Sequence, residues 1–309
     1  MEDKYKNPEN LQTALDCAIR DKEKKEVGYI EGYKVKKSGI CYKNYMSNET
    51  WKEYINKMPN IHKDNFISGN GGELNEGKYP PKMASFGSSS RFIYELSKEI
   101  KGFSFEEKLD TRVGGIANID GFIYKDNKDK KYIYIEAKRR EIYGSHNKEI
   151  KSVYTKVYDK IKNVVGQDFS YESKKSDKEG YNIISFKIKG EDASYFDLKQ
   201  LICHFLGITY DLIKHDIREP NIVFLYLLYN PEDIKDELEN YKKYSEKISE
   251  RYKKVKDFID DHIEQFKKIF DAVLDYQVET NNKEKPKIEF EFKLVDQNNY
   301  KEMIYKQIE

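Results

Sequence analysis

Cysteine and long apolar runs are both scarce in this chain. The three cysteines, Cys17, Cys41 and Cys203, are odd in number and lack the spacing of a zinc site, which argues against zinc and for a reducing cytoplasm. The longest apolar run, 222–229, is too short to cross a bilayer, and residues 1–10 lack the apolar segment of a signal peptide. The sequence therefore predicts a soluble, cytoplasmic protein with no membrane partner.

Net charge is also scarce, although charged residues are abundant. The 56 lysines and arginines nearly balance the 55 aspartates and glutamates, and a net charge of +1 gives no global attraction to nucleic acid. A DNA enzyme with an acidic site can still bind through a local basic groove, so this balance weakens a DNA-binding interpretation without excluding it. The 309 residues suffice for one large or two small domains.

Two predicted strands near the middle of the chain contain the most informative residues. Residues 116–124 and 131–138 have strand character and are joined by a polar run, a pattern that predicts a hairpin. Asp120 then lies near the open end of the first strand, opposite the end of the second. Glu136 and Lys138 stand two positions apart there and share one face of the sheet. Two carboxylates and an amine are therefore expected to converge at the rim.

The length of the connection decides whether this convergence occurs. A connection with an odd number of residues, for instance 126–130 with Lys125 opposite Lys131, pairs Asp120 with Glu136 on one face. A bulge has the same effect, whereas an even connection turns Asp120 away. Two carboxylates held together at a sheet rim repel each other unless a cation lies between them, and hard oxygen ligands suit Mg²⁺.

An acidic residue two positions before a lysine is common in so lysine-rich a chain, so this spacing alone carries no weight. Glu136 and Lys138 differ from the other pairs because they end an apolar strand whose hairpin partner contains Asp120. The alternative is an edge hairpin with a structural ion pair between Glu136 and Lys138, but buried charge is rarely kept for stability alone.

At these residues the chain resembles the PD-(D/E)XK nuclease superfamily, the fold of most Type II restriction endonucleases. The matching motif is Asp120 followed by Glu136-Ala137-Lys138, with Ile119 at the variable position of the name-giving proline. Three further segments are similar to blocks that flank the motif in one branch of the superfamily: 69–74, 80–92 and 197–204.

The resemblance implies three regions and a fold. The regions are an N-terminal helical extension at 1–68, the nuclease core at 69–230 and a C-terminal helical arm with a final strand at 231–309. The implied fold class is α/β with a restriction-endonuclease-like core, in the order helix, three antiparallel strands, helix and parallel strand. Periodicity predicts the same order, with a helix at 88–101, strands at 103–113, 116–124 and 131–138, a helix at 195–214 and a strand at 222–229.

The remaining segments are predicted from the same patterns. They comprise helices at 9–25, 49–58 and 148–165, a charged loop at 168–180, a strand at 182–188 and a last strand at 288–295 followed by a short helix. Residues 68–87 are rich in Gly, Pro, Asn and Ser and predict a loop, either facing DNA or acting as a connector. Residues 231–276 predict a long helix or an antiparallel pair, which either forms a dimerisation arm or folds back on the core.

The resemblance assigns roles to the converging residues. Asp120, Glu136 and the backbone carbonyl of Ala137 would hold one or two Mg²⁺ ions. Lys138 would orient the attacking water or stabilise charge on the phosphate. A lysine near its ordinary pKa is protonated, and the neighbouring carboxylates oppose deprotonation, so positioning and charge stabilisation are favoured over a base role.

Two helices supply further candidates for the site. Glu95 matches by position the acid that the helix before the first core strand often contributes, with a solvated helix carboxylate as the alternative. Gln200, on the helix after the motif, matches a glutamine that holds the site acids in relatives. His204 lies one turn further along and is interpreted as a buried core histidine.

Basic residues after the motif are candidates for contacts with DNA phosphates. They are Arg139, Arg140, Lys148 and Lys151. The alternative for the last two is the polar face of an ordinary amphipathic surface helix.

The resemblance, together with the converging acids, implies a Mg²⁺-dependent endodeoxyribonuclease, above all a sequence-specific Type II restriction endonuclease that acts against foreign DNA. The resemblance implies double-stranded DNA as the partner, a homodimer if the target is a palindrome, and a companion DNA methyltransferase. The alternatives are a repair or recombination nuclease that cuts DNA structures, an RNase, and a non-catalytic DNA-binding protein on the same fold.

Overall fold

The computed structural model describes residues 10–24, 45–68, 73–74, 81–126, 130–143, 149–193 and 196–308. The helices in these ranges are α1 (Leu11–Glu23), α2 (Asn48–Lys57), α3 (Asn60–Ser68), α4 (Ser89–Ser97), α5 (Thr155–Val165), α6 (Leu198–Lys214), α7 (Lys235–Leu238), α8 (Lys242–Asp261), α9 (Ile263–Asn281) and α10 (Gln297–Ile308). The strands are β1 (Phe103–Asp110), β2 (Ile116–Lys125), β3 (Lys131–Lys138), β4 (Glu149–Lys151), β5 (Phe169–Lys175), β6 (Tyr181–Ile188), β7 (Glu191–Asp192), β8 (Asn221–Leu228) and β9 (Glu289–Asp296).

Five strands form one mixed sheet in the order β1-β2-β3-β8-β9. β1, β2 and β3 are antiparallel neighbours, whereas β8 runs parallel to β3 and β9 runs parallel to β8. β8 is apolar and buried along almost its whole length, as expected for a parallel strand that is covered on both faces. The fold is therefore mixed α/β, and α4, three antiparallel strands, α6 and a parallel strand follow one another in the predicted order.

Helices cover both faces of this sheet. On one face, the ring of Phe205 in α6 lies 5.5 Å from that of Phe224 in β8 and 5.2 Å from that of Phe270 in α9. On the opposite face, the ring of Tyr94 in α4 lies 5.5 Å from that of Phe105 in β1. The sheet therefore lies between α4 on one face and α6 on the other.

A smaller sheet is inserted between β3 and α6. Its strands pair antiparallel in the order β4-β6-β5, and β7 adds to β6. The sequence prediction is wrong at two places here. The segment 148–165 begins with β4 and a short 3-10 turn, so that α5 starts only at Thr155. The predicted loop at 168–180 contains β5, whose outer half is exposed on both faces and therefore shows no apolar alternation.

The N-terminal and C-terminal helices pack onto the core. α1 lies against α7 and α8, and the hydroxyl of Tyr241 donates to Asp21 of α1 over 2.6 Å. α9 packs on α5 and α6, so the helical segment 231–276 folds back on the core, one of its two predicted arrangements. β9 and α10 confirm the predicted last strand and short helix. Within the described ranges, no helix is long and apolar enough to span a membrane.

Candidate active site

The connection between β2 and β3 has the odd length that the sequence hypothesis requires. Lys125 pairs with Lys131 across residues 126–130, as in the predicted example. The paired residues then run along both strands to Gly121 opposite Ile135, where the ladder ends. Asp120 and Glu136 are the next residues on the two strands, so they meet at the open end of the hairpin.

Asp120 makes a side-chain contact where the ladder ends. Its Oδ2 accepts the backbone N–H of Ala137 over 2.7 Å, in place of a carbonyl from β2. In an extended strand the N–H and C=O of one residue point to the same side, so the carbonyl of Ala137 also points toward Asp120. The predicted oxygen ligands from β2 and β3 are thus brought to one place.

Glu136 and Lys138 form a buried ion pair on the α6 face of β3. Nζ of Lys138 lies 2.6 Å from Oε1 of Glu136, and the two residues are 6% and 1% exposed. Nζ of Lys138 also donates to Oε1 of Gln200 over 2.6 Å. His204 is buried, as interpreted from the sequence, but its Nε2 lies 2.9 Å from Oε2 of Glu136. Gln200 and His204 stand one helical turn apart and so present both groups to β3.

Burial and neighbouring charges shift the pKa values of these groups. Burial alone raises the pKa of Glu136, but Lys138 and then His204 outweigh it and lower this pKa to about 2. Burial alone lowers the pKa of Lys138, but Glu136 outweighs it and holds this pKa well above its ordinary value. Burial, followed by repulsion from Glu136 and Glu106, raises the pKa of Asp120 well above its ordinary range. Glu136 and Lys138 are therefore charged at neutral pH, whereas burial and repulsion both oppose ionisation of Asp120.

Glu106 and Glu73 belong to this acidic environment, and the sequence analysis missed both. Glu106 is 8% exposed, and its Oε1 accepts a hydrogen bond from Oγ of Ser90 over 3.1 Å. Burial, followed by repulsion from Glu73, raises the pKa of Glu106 to about 7. Glu73 lies 3.1 Å from Nζ of Lys82. Glu73 falls in the segment 69–74, which the resemblance had singled out, whereas no local pattern of the sequence indicates Glu106.

Glu95 does not join the site, which corrects its prediction as a site acid. It lies on the exposed side of α4, where its Oε2 is 2.7 Å from Nζ of Lys98. The α4 residue that reaches the acids is Ser90, five positions earlier, through Glu106. Five positions along a helix bring a side chain to a different face.

Arg139 is buried, which corrects its prediction as a phosphate contact. The residue is 7% exposed, and its guanidinium carbon lies 5.4 Å from the ring centre of Phe92 and 5.0 Å from that of Tyr229. One guanidinium nitrogen is 3.5 Å from Oε1 of Glu23 in α1. The aromatic faces and the carboxylate replace the solvent that an exposed arginine would have.

The other three predicted DNA contacts differ in their surroundings. Arg140 is only partly exposed and lies 2.7 Å from the buried Oδ2 of Asp16 in α1. Lys151 is exposed in β4, and its Nζ donates to the carbonyl of Gly114 in the β1–β2 turn over 2.6 Å. Lys148 lies outside the described residues. Lys151 is therefore the one of these three that the structure describes on an exposed surface.

Asp120, Glu136 and the carbonyl of Ala137 suit a divalent cation only if water and substrate complete its coordination shell. Among the residues that the structure describes, no three acidic, histidine or cysteine side chains form a ready-made metal site. Mg²⁺ does not require one, because it keeps several waters and binds through one or two carboxylates together with substrate phosphates. Burial, followed by repulsion from Glu136 and Glu106, raises the pKa of Asp120, and a bound cation would offset the repulsion. The carbonyl of Ala137 points to the same place.

A scan against protein-family models, together with searches of curated proteins and of solved structures, found no match to this chain.

Proposed function

We propose that this protein is a metal-dependent nuclease that hydrolyses phosphodiester bonds. The observation that carries the proposal is the convergence of Asp120 with Glu136, Ala137 and Lys138 at the open end of β2 and β3. Asp120 accepts the Ala137 N–H over 2.7 Å, and Nζ of Lys138 lies 2.6 Å from Glu136. Carboxylates that attract a cation, placed beside a fixed ammonium, suit a reaction in which negative charge develops on a phosphate.

Asp120, Glu136 and the carbonyl of Ala137 are the groups that would hold Mg²⁺. When bound, the ion supplies a water of lowered pKa and neutralises charge on the phosphate. The chain contributes ligands that are already in position, because Asp120 is fixed by the N–H of Ala137 and Glu136 by His204. Glu136 is kept ionised by its low pKa and is therefore ready to bind a cation at neutral pH.

Lys138 stabilises charge and orients groups in this proposal, and it does not act as the base. Glu136 holds the pKa of Lys138 well above its ordinary value, so the amine is protonated at neutral pH. An ammonium has three N–H donors, and contacts with Gln200 and Glu136 engage two of them. The third is left for a phosphate oxygen or the attacking water.

We further propose double-stranded DNA as the substrate and a sequence-specific Type II restriction endonuclease as the class of enzyme. The support is the resemblance of the motif and of its flanking segments, together with the element order from α4 through β1, β2 and β3 to α6 and β8. A cytoplasmic location, a homodimer at a palindromic target and a companion DNA methyltransferase follow from that class.

A non-catalytic DNA-binding protein is the second candidate. One observation favours it: the two oxygens of Glu136 lie 2.6 Å from Nζ of Lys138 and 2.9 Å from Nε2 of His204, so the ammonium balances the charge of this carboxylate without a metal. The convergence of Asp120 with Glu136 and Lys138 argues in the other direction, because charged groups gathered in a buried place are seldom kept for stability alone.

Cleavage of DNA by the purified full-length chain tests these candidates. The protein is incubated with plasmid and phage DNA, with Mg²⁺ or with EDTA, beside an Asp120→Asn variant, and the ends are mapped. We expect Mg²⁺-dependent cleavage by the wild-type chain into discrete bands with uniform ends. Scattered ends or a preference for branched DNA would indicate a repair nuclease, and cleavage of RNA alone would indicate an RNase. Binding without any cleavage overturns the nuclease proposal.

A further inference from the structure

A cavity of about 200 Å³ lies where the β1–β2 turn, the small sheet, α5 and α6 meet. Lys199 and Cys203 of its wall directly precede Gln200 and His204, the two α6 residues that contact the motif. Successive residues of a helix are turned by about 100°, so the cavity lies along the strip of α6 beside the one that faces the motif. The side chains of its wall that matter below are those of Lys151, Tyr154, Tyr158, Tyr181, Lys199 and Cys203.

Tyr158 brings a buried hydroxyl to this wall. The residue is 0% exposed, and its Oη has no hydrogen-bond partner among the residues that the structure describes. Burial, followed by Cys203 and Tyr154, raises the pKa of this hydroxyl well above its ordinary value, so it keeps its proton and can donate. Both of these neighbours also line the cavity. A buried hydroxyl without a partner costs free energy, and a ligand that accepts its proton in a hydrogen bond removes that cost.

The size and the aromatic walls of the cavity favour a planar ring with polar edges. Tyr154 and Tyr181 are partly exposed and contribute their rings to the wall. Tyr154 packs tightly against the β1–β2 turn, because a Cβ added to Gly115 would lie 2.4 Å from its Oη. Sites for drug-sized molecules measure roughly 300–1,000 Å³, so this smaller cavity suits a single ring system. Nucleobases have this character, since they stack on aromatic side chains and present donors and acceptors at their edges.

Two ammonium groups of the wall suit an anionic group attached to that ring. Nζ of Lys199 donates to the carbonyl of Glu149 over 3.2 Å, and Nζ of Lys151 donates to the carbonyl of Gly114 over 2.6 Å. An ammonium has three N–H donors, so each lysine retains donors for a phosphate oxygen. Glu149 is the acidic residue that lines the cavity in the part of the chain that the structure describes, so the positive charges there exceed the negative.

We propose that this cavity is a nucleotide-binding pocket, which takes one nucleobase among its tyrosines and the attached phosphate at Lys151 and Lys199. The hydroxyl of Tyr158 donates to an acceptor on the edge of the base. A free 5′-nucleotide and a nucleotide turned out of a DNA strand offer the same chemistry. The second source rests on the proposed function, and with it the pocket reads one base of the DNA beside the residues that carry out cleavage.

Isothermal titration calorimetry of the full-length chain in EDTA, with the four 5′-deoxynucleotides, tests the pocket without metal or cleavage. The corresponding nucleosides and inorganic phosphate are titrated beside them. Tyr158→Phe removes only the hydroxyl, and Cys203→Phe fills the cavity. The matched control is Tyr143→Phe, because Tyr143 lies outside this wall, is 6% exposed, and has a hydroxyl without a hydrogen-bond partner among the described residues.

We expect at least one nucleotide to bind the wild-type chain saturably. Its Kd should rise by about threefold to tenfold in Tyr158→Phe, as for the loss of one hydrogen bond. Cys203→Phe should abolish binding, and Tyr143→Phe should leave the Kd unchanged. Circular dichroism checks that each variant is folded, and Tyr158→Phe decides alone if Cys203→Phe does not fold. The proposal is overturned if no nucleotide binds, if inorganic phosphate binds as tightly as the nucleotides, or if folded Tyr158→Phe binds them as wild type does.

Duplex DNA that contains 2-aminopurine at successive positions distinguishes the two sources of the base. Fluorescence that changes at one position on binding to the wild-type chain, but not on binding to Cys203→Phe, supports a nucleotide of the DNA as the occupant. Unchanged fluorescence at every position overturns that source and assigns the pocket to a free nucleotide. DNA cleavage without nucleotide binding overturns the pocket and leaves the nuclease proposal standing, whereas nucleotide binding without cleavage does the reverse.

Discussion

Nε2 of His204 lies 2.9 Å from Oε2 of Glu136, and both side chains are 2% exposed. This contact joins the second turn of α6 to the end of β3. It lies in the protein interior, where a charge without a partner is costly. Together with the Gln200–Lys138 hydrogen bond, it makes α6 a support for both charged residues of the motif.

We predict that His204→Leu, which keeps most of the volume but removes the donor, lowers the free energy of unfolding by about 1–3 kcal/mol. His204→Gln should recover part of this loss, because its amide nitrogen can reach the position of Nε2. Urea unfolding at neutral pH measures both. The control is His215→Leu, since His215 is exposed and its pair with Asp211 is at the surface. Equal effects at the two histidines would contradict a supporting role for His204.

Substitutions at the two motif carboxylates should separate chemistry from stability. Asp120→Asn keeps an acceptor for the Ala137 N–H and relieves repulsion, so we expect cleavage to fall by about a hundredfold or more with little loss of stability. Glu136→Ala leaves the ammonium of Lys138 buried without its carboxylate, so we expect lost cleavage together with destabilisation of about 3–5 kcal/mol. Cleavage and thermal unfolding are measured on the same samples. Cleavage by Asp120→Asn within about tenfold of wild type would contradict the ligand assignment.

The convergence of the motif residues was predictable from the sequence because it depends on local rules. Strand residues alternate with a period of two, and the odd connection 126–130 fixes which residues of β2 and β3 share a face. Gln200 was expected from the resemblance to hold the site acids, and in the structure its Oε1 instead accepts a hydrogen bond from Nζ of Lys138. The motif residues depend on the rest of the chain mainly through the packing of α6 on the sheet.

The positions of Glu106 and Arg139 were not predictable from such rules. Glu106 has a φ of 54° within β1, and alternation with a period of two does not predict such a left-handed residue. Arg139 follows a rim motif and is basic, which suggests an exposed phosphate contact. Its actual partner, Glu23, comes from a helix more than a hundred residues earlier, and no local pattern encodes that contact.

Glu106 should make stability depend on pH near neutrality. Its folded pKa of about 7 lies above the ordinary value of 4.5, so its contribution is fully present below pH 4.5 and is lost as the pH rises through about 7. We predict that Glu106→Gln gains stability relative to wild type between about pH 5 and pH 8, by up to a few kcal/mol. Urea unfolding in EDTA at several pH values measures it.

The contribution of Glu136 to stability changes with pH in the opposite direction, which provides an internal comparison. Its pKa is lowered to about 2, so its contribution is present above 4.5 and is lost as the pH falls toward 2. Glu106→Gln should leave this acid-side loss in place. If the free energies of unfolding of wild type and Glu106→Gln changed in parallel with pH, the raised pKa of Glu106 would be contradicted.

α1 should be required for folding, because its acids neutralise buried arginines. Glu23 contacts Arg91 with two hydrogen bonds of 2.8 and 3.1 Å, and Arg91 is 1% exposed. We predict that Glu23→Gln lowers the free energy of unfolding by about 1–3 kcal/mol, whereas Glu264→Gln, which affects an exposed pair with Lys267, changes it little. Removal of residues 1–24 should give an unfolded or aggregated chain. A folded, active truncated chain would contradict the integration of α1 into the core.

The salt dependence of DNA binding should distinguish Lys151 from Arg139, although the sequence suggests the same role for both. Lys151 is exposed in β4 beside the β1–β2 turn, whereas Arg139 lies between Phe92 and Tyr229. We predict that Lys151→Gln weakens binding similarly on all DNA sequences and reduces the slope of log Kd against log salt by about one, because one phosphate contact releases about one counterion. Arg139→Gln should leave that slope unchanged and lower the thermal unfolding temperature. Titrations of labelled duplex DNA in EDTA, between about 50 and 200 mM salt, measure the slopes. A reduced slope in Arg139→Gln with wild-type stability would place that guanidinium on the DNA and would require α1 to move away from it.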